Sequence, residues 1–333
     1  MARAATRGWE RRLRRAAKVM GIAAGGATVG SLGAAYYVAR ALTAPSPASP
    51  TDEYLLTPYE TGAEYEDVTF PSAGADERPA AERTLHGWWY PRPETRRVVI
   101  CCPGYRGTKS DLIGIGFALW RAGFNVLTFD FHGHGADHGA PVTLGYREVR
   151  DLFGALDYVQ TRVDEAEIGV IGFSMGASVA ILGAARRPEV RAVVADSPFT
   201  THEDIVAHAI ERVTRLPGRP LARLSDTFIN LRAGYRHRDV RPVVEVAAIA
   251  PRPLLIIHGS ADRTIPVEQA YRVYAAAGAP KELWIGEGAD HCGTYFLDRP
   301  GYCARVAAFF ERALDAENAR GSTAESARGE RVS

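Results

Sequence analysis

An α/β fold built on a mostly parallel, doubly wound sheet is predicted by three observations. From Arg97 onward, short apolar or β-branched runs alternate with segments of helical periodicity, the pattern of strands joined by crossover helices and covered on both faces. One of those runs, Ile168–Phe173, ends in Gly-x-Ser-x-Gly and passes straight into a small, apolar, helix-compatible stretch, which puts a sharp strand-to-helix turn on Ser174. With 333 residues and 46% hydrophobic content, the chain can bury one large core and still carry appendages.

The first appendage is a basic tail over 1–18, where Arg3, Arg7, Arg11, Arg12, Arg14, Arg15 and Lys18 face Glu10 alone. Val19–Ala39 follows without a charged side chain and closes on Tyr36, Tyr37 and Arg40. A helix of that length crosses a hydrocarbon core of about 30 Å. The expectation is therefore an N-terminal membrane-spanning helix over 19–39, a single-pass signal anchor with its basic end in the cytoplasm and the rest extracytoplasmic. Gly21, Gly25, Gly26, Gly30 and Gly33 dilute its apolarity, although small residues four apart are also how membrane helices pack. Two alternatives stand beside it. One is an export signal cut near Ala39-Arg40-Ala41 or Leu42-Thr43-Ala44; the other is a soluble extension of a cytoplasmic protein. Residues 40–53, with Pro45, Pro47 and Pro50, read as a linker.

The folded domain is expected over 54–316. Tyr65–Phe70 and Thr84–Tyr90 are strands joined by the turn-rich Pro71–Asp76, so a hairpin opens it. Arg97–Cys102 is a strand, and Ser110-Asp111 caps a helix that runs to Arg121 and stops at Gly123. Phe124–Phe129 is the next strand. Tyr146–Thr161 is the next helix, with Val149, Leu152, Phe153, Leu156 and Val159 on one face. After Ile168–Phe173 come a helix over Met175–Arg187 and a strand over Val190–Ala195. Thr200–Ala250 breaks the alternation with two helical pieces, Asp204–Val213 and Leu221–Ala233, and reads as a helical cap insertion at about 200–250 lying over the strand ends. Its His202, His208 and His237 read as solvated surface residues. Leu254–His258, Val267–Ala277, Lys281–Ile285 and Gly301–Leu314 complete the alternation, and the polar 317–333 is expected to be a disordered tail.

A residue wedged between a strand end and a helix start needs neighbours without side chains at minus two and plus two, and Gly172 and Gly176 stand there. The amide of Met175 then opens a helix, where unpaired N–H groups favour a developing negative charge. A serine nucleophile needs a base and an orienting acid, and a parallel sheet gathers such groups at the C-terminal ends of its strands. Asp262 lies just past Leu254–His258, and His291 just past Lys281–Ile285. Asp290, beside His291, and Asp196, after Val190–Ala195, are the competing acids; neighbours in a loop rarely orient each other's rings, which favours Asp262.

These residues carry a family resemblance. Asp130-Phe131-His132-Gly133-His134-Gly135, Gly-Phe-Ser-Met-Gly at 172–176, Asp196-Ser197-Pro198-Phe199, His-Gly-Ser-Ala-Asp at 258–262 and Ala-Asp-His-Cys-Gly at 289–293 resemble, in that order, the carboxylesterase and serine-peptidase-like branch of the α/β-hydrolase superfamily. The resemblance covers roughly residues 60–315. It implies that Ser174 attacks an acyl carbonyl, that His291 relays the proton and that Asp262 fixes the imidazole tautomer. It also implies that the amides of Tyr105 and Met175 form the oxyanion hole, with Pro103-Gly104-Tyr105 standing where many members have His-Gly-x. The expected activity is that of a serine hydrolase cleaving a carboxylic ester, lipid ester or related acyl bond. The alternatives are a peptidase or amidase on small peptides and an inactive membrane-tethered binding module.

Other classes find less in the sequence. Net charge is +1, so nothing in the balance suggests nucleic acid as a partner. Cys101, Cys102, Cys292 and Cys303 show no disulfide or metal spacing, and no Gly-x-Gly-x-x-Gly or phosphate-loop lysine joins a strand to a helix, so neither metal nor cofactor is expected.

Overall fold

The computed structural model describes residues 30–44, 56–73, 83–135, 141–215 and 217–329. Eight strands, β1 (Glu66–Pro71), β2 (Thr84–Tyr90), β3 (Arg97–Cys102), β4 (Asn125–Phe129), β5 (Glu167–Phe173), β6 (Val190–Asp196), β7 (Leu254–Gly259) and β8 (Lys281–Gly286), form one sheet in the order β1-β2-β4-β3-β5-β6-β7-β8. The β1–β2 hairpin joins antiparallel, and every pair from β4 to β8 is parallel. Crossing between β3 and β4 is α2 (Ile113–Arg121); α3 (Glu148–Arg162) and α4 (Met175–Arg186) flank β5, and α8 (Glu268–Ala276) links β7 to β8.

Both faces of the sheet are covered because the period of two sorts its side chains. Val98, Ile100 and Cys102 of β3 enter one core, with Leu152, Leu156 and Val179 of α3 and α4. Val99 and Cys101 enter the other, with Leu119 of α2 and Tyr302, Val306 and Phe310 of α10 (Arg299–Gly329). Strands buried on both faces are uniformly apolar, which is why β3, β5 and β7 were legible as continuous runs.

Asp151 of α3 is 1% exposed and ties the hairpin to the sheet: its carboxylate accepts from Ser72 Oγ at 2.6 Å and from the His132 amide at 3.0 Å. Burial, against the Ser72 hydrogen bond, pushes its carboxyl up to about 7. The native state thus binds this proton more tightly than the unfolded chain. The associated stability is present below about pH 4 and lost as pH rises through 7. Urea unfolding at pH 5 and pH 8 is expected to show a loss of about 2–3 kcal/mol from this group. Asp151→Asn should lack that part of the slope, and an unchanged slope would refute the assignment.

Between β6 and β7 stands the helical insertion, with α5 (His202–Thr214), α6 (Gly218–Ala233) and the short α7 (Pro242–Glu245). Its histidines depart from expectation. His202 is wholly buried and His237 is 6% exposed; only His208, whose ring meets the Arg263 carbonyl, is at the surface. The hydrogen bonds account for this. His237 Nε2 donates to the Ala222 carbonyl at 2.8 Å, so its Nδ1 accepts from His202 Nδ1 at 2.6 Å, and His202 Nε2 accepts from Tyr235 Oη at 3.1 Å. A neutral imidazole carries one donor and one acceptor, and the chain Tyr235–His202–His237 satisfies both rings without water. Burial, with His237 beside it, holds His202 well below the usual histidine range.

Of the Val19–Ala39 run, residues 19–29 lie outside the described residues, as does the basic tail. Residues 30–42 form a helix, α1, that lies on the insertion. Ala35 and Ala39 are fully buried; Ala39 packs with Ile229, Ala233 and Tyr235, and Tyr36 meets Phe228 edge-on at 5.8 Å. Of the five glycines that suggested membrane packing, Gly30 and Gly33 are among the described residues, and a Cβ on either would meet nothing within 4 Å; Ala39 makes the close contact with α6. No described helix is long and apolar enough to cross a membrane. At the other end, α10 continues through Gly329, where a disordered tail was expected. Residues 330–333 lie outside the described residues.

Candidate active site

The strand ends beyond β3, β5, β6, β7 and β8 converge at one edge of the sheet. Ser174 sits there at φ 55°, ψ −114°, a backbone conformation that a non-glycine residue holds only under constraint. The flanking glycines show the constraint. A Cβ on Gly172 would lie 2.1 Å from the Gly176 carbonyl oxygen, and one on Gly176 would lie 2.3 Å from that of Cys102 and 2.4 Å from that of Pro103. The turn is folded against itself and against the end of β3.

Ser174, His291 and Asp262, drawn from three separate loops, meet. His291 Nε2 is 2.8 Å from Ser174 Oγ, and His291 Nδ1 is 2.7 Å from Asp262 Oδ2. An ionised carboxylate can only accept, so Nδ1 carries the proton and Nε2 is left to take one from the serine. Asp262 is held from every side. Its Oδ1 accepts from the amides of Thr264 and Ile265, each at 2.8 Å, and its Oδ2 faces His258 Nε2 at 3.3 Å as well as His291. Burial would raise its carboxyl, but the hydrogen bonds from His258, His291 and the Ile265 amide outweigh it and hold the group far below the usual range.

The competing acids do not touch the ring. Asp290 Oδ1 accepts from the backbone amides of Arg263 and His291, at 3.2 and 2.8 Å. Asp196 bonds to Ser197 and Tyr302 instead. His134 is buried against the His132 carbonyl in the turn after β4. Cys292 lines the cleft beside His291, with burial raising its thiol well above the usual value.

Met175 is the first residue of α4, so its amide has no intrahelical acceptor, and the Tyr105 amide donates to no backbone carbonyl among the described residues. A Cβ on Gly104 would lie 3.6 Å from that of Ser174, which places the Tyr105 loop directly against the serine. Lys109 locks this loop: its amide donates to Asp130 Oδ1 at 2.7 Å and its Nζ to Oδ2 at 2.5 Å. That pair was missed in the sequence, although Asp130 stood in a turn already singled out.

A cleft of about 380 Å³ opens above Ser174, walled by Leu112, Ile115, Phe173, Tyr295 and Phe296. None of the described residues of the insertion lines the cleft. Asp111 is the carboxylate on the lining, exposed, with Oδ2 taken up by the Thr108 amide at 2.9 Å.

A parallel sheet with an antiparallel hairpin at one edge and a strained serine turn after β5 is the architecture of an α/β-hydrolase. The chain belongs to the α/β-hydrolase superfamily. Residues 93–245 match the family model described as serine aminopeptidase, S33. The uncharacterized protein YqkD of Bacillus subtilis is 30% identical over 234 residues, covering 69% of this chain and 76% of that one. The uncharacterized protein Rv2307c of Mycobacterium tuberculosis is 32% identical over 218 residues, 64% and 70% of the two chains. Among solved structures, the esterase Pf2001 of Pyrococcus furiosus superposes with a TM-score of 0.65 at 27% identity, over 82% of this chain and 98% of that one.

Proposed function

We propose that the protein is a serine hydrolase that cleaves carboxylic esters through an acyl-enzyme. The observation that carries this reading is the continuous hydrogen-bond line from Ser174 Oγ through His291 to Asp262, at 2.8 and 2.7 Å. In it, Ser174 attacks the acyl carbonyl while His291 Nε2 takes its proton. The imidazolium so formed is stabilised by Asp262 and returns the proton to the leaving alcohol. The amides of Tyr105 and Met175 receive the oxyanion, each such donor being worth about 3 kcal/mol in the transition state. Water then repeats the sequence on the acyl-enzyme and frees the acid. The apolar walls of the cleft suit a short or medium acyl chain, and the likeness to an esterase points the same way.

A second reading, hydrolysis of an amide in a small peptide, is favoured by the carboxylate of Asp111 on the cleft wall, which could face a peptide amine, and by the matched family description.

Labelling with a fluorophosphonate, beside turnover of p-nitrophenyl esters of rising chain length and of aminoacyl anilides, tests both readings. Wild type should label and hydrolyse the esters faster than the anilides. Faster anilide turnover would select the peptidase. A folded protein that neither labels nor turns over any substrate would remove both.

A further inference from the structure

Three loops at the site carry non-glycine residues in the left-handed region: Ser174 at φ 55°, Ser197 at φ 58° and Cys292 at φ 50°. Each costs on the order of 1–3 kcal/mol and persists only where its surroundings overdetermine it. Here the three constrain one another. The Ser174 amide donates to the Asp196 carbonyl at 2.8 Å, the Ser197 amide to the Ile257 carbonyl at 2.8 Å, and the Cys292 amide to Ser197 Oγ at 3.2 Å. Beneath them lies the fully buried Asp196 carboxylate, which accepts from Ser197 Oγ at 3.0 Å and from Tyr302 Oη at 2.8 Å.

We infer that Asp196 and Ser197 are positioning residues for the serine chemistry proposed above, fixing through the Cys292 amide the loop that presents the His291 ring to Ser174. Proton counting makes the arrangement directional. Ser197 has one hydroxyl proton, and an acceptor-only carboxylate draws that proton inward, leaving the oxygen's lone pair for the Cys292 N–H. Burial pushes the Asp196 carboxyl up to about 6, against the hydrogen bonds of Tyr302 and Ser197. At pH 8 it is therefore ionised and takes both hydroxyl protons. Without Asp196 the Ser197 hydroxyl is free to turn, and without Ser197 the Cys292 amide is left without a partner one residue from His291. Catalytic geometry is sensitive to such slack, since a displacement of about 1 Å can cost about 100-fold. The sequence carried a trace of this strut in Asp196-Ser197-Pro198-Phe199, while Tyr302 arrives from α10 with no local signal.

Ser197→Gly is the decisive variant, because glycine accepts φ 58° without strain and the hydroxyl is lost with no more than its Cβ. Tyr302→Phe is the second, removing one donor to Asp196 while leaving Ser197 in place. At pH 8, kcat for a neutral p-nitrophenyl ester and the fluorophosphonate labelling rate are expected to fall about 10- to 100-fold in Ser197→Gly and less in Tyr302→Phe. KM should stay within about threefold, since neither residue lines the cleft. The low-field proton resonance of His291 Nδ1–H should broaden or move in Ser197→Gly at unchanged melting temperature. A purely structural role would leave that resonance and kcat alone once the protein is folded. Wild-type kcat, labelling and resonance in a folded Ser197→Gly would overturn the inference. Should wild type itself fail to label, the serine-hydrolase reading falls instead, and the His291 resonance alone then decides the positioning role.

Discussion

Ser174→Ala is expected to lower kcat/KM for a neutral short-chain ester by about 10⁴- to 10⁶-fold while leaving the melting temperature within about 2 °C of wild type. The size follows from the site. In the proposed mechanism Oγ is the atom that forms the acyl-enzyme, and without it the Tyr105 and Met175 amides would retain only binding and electrostatic assistance. The small thermal effect follows too, because alanine inherits the φ of 55° and gives up only one hydroxyl contact, that to His291. His291→Ala should fall by a similar factor, and the double variant should fall hardly further, since the two act as a unit. Measuring all three rates beside thermal melts checks both halves. Additive losses, or appreciable turnover in Ser174→Ala, would mean that the chemistry runs through another group.

Gly176→Ala is expected to be severely destabilising. Its new Cβ would lie 2.3 and 2.4 Å from the carbonyl oxygens of Cys102 and Pro103, distances that backbone atoms cannot relieve by a rotamer change. The end of β3 would have to move away from the start of α4, and with it the Tyr105 loop. A loss of more than about 4 kcal/mol, or insoluble protein, is the expected result in urea unfolding and expression yield. Gly288→Ala, at φ 73° in open space, gives the contrast: strain of about 1 kcal/mol and no collision. Comparable stability for the two variants would show that the elbow is looser than its contacts indicate.

The central strands β3 to β7 were legible because they are buried on both faces, and burial writes itself as uninterrupted apolar runs. Ser174, Asp262 and His291 were legible for a different reason, since each stands at the end of such a run in a turn of distinctive composition. What escaped was whatever depends on pairing between remote residues. Lys109 and Asp130 are ordinary surface types until they lock one loop to another. His202 and His237 read as solvated because nothing in their neighbourhoods in sequence announces a chain of neutral rings. Of the run that read as a membrane helix, the described part places Ala39 on α6, a partner that small residues in sequence do not distinguish from a membrane helix, and residues 19–29 lie outside the described residues.

Helix α1 has one more consequence. Leu42 packs against both small cap clusters, and Ala39 sits on Tyr235, so the segment ahead of the prolines closes part of the insertion's inner wall. Trimming the chain back to the prolines would turn Ile229 and Ala233 toward water and leave a sticky scar on the insertion. A pull on the leading segment would likewise be felt first by the cap and only afterwards by the sheet. The same short helix is both a leash and a seal.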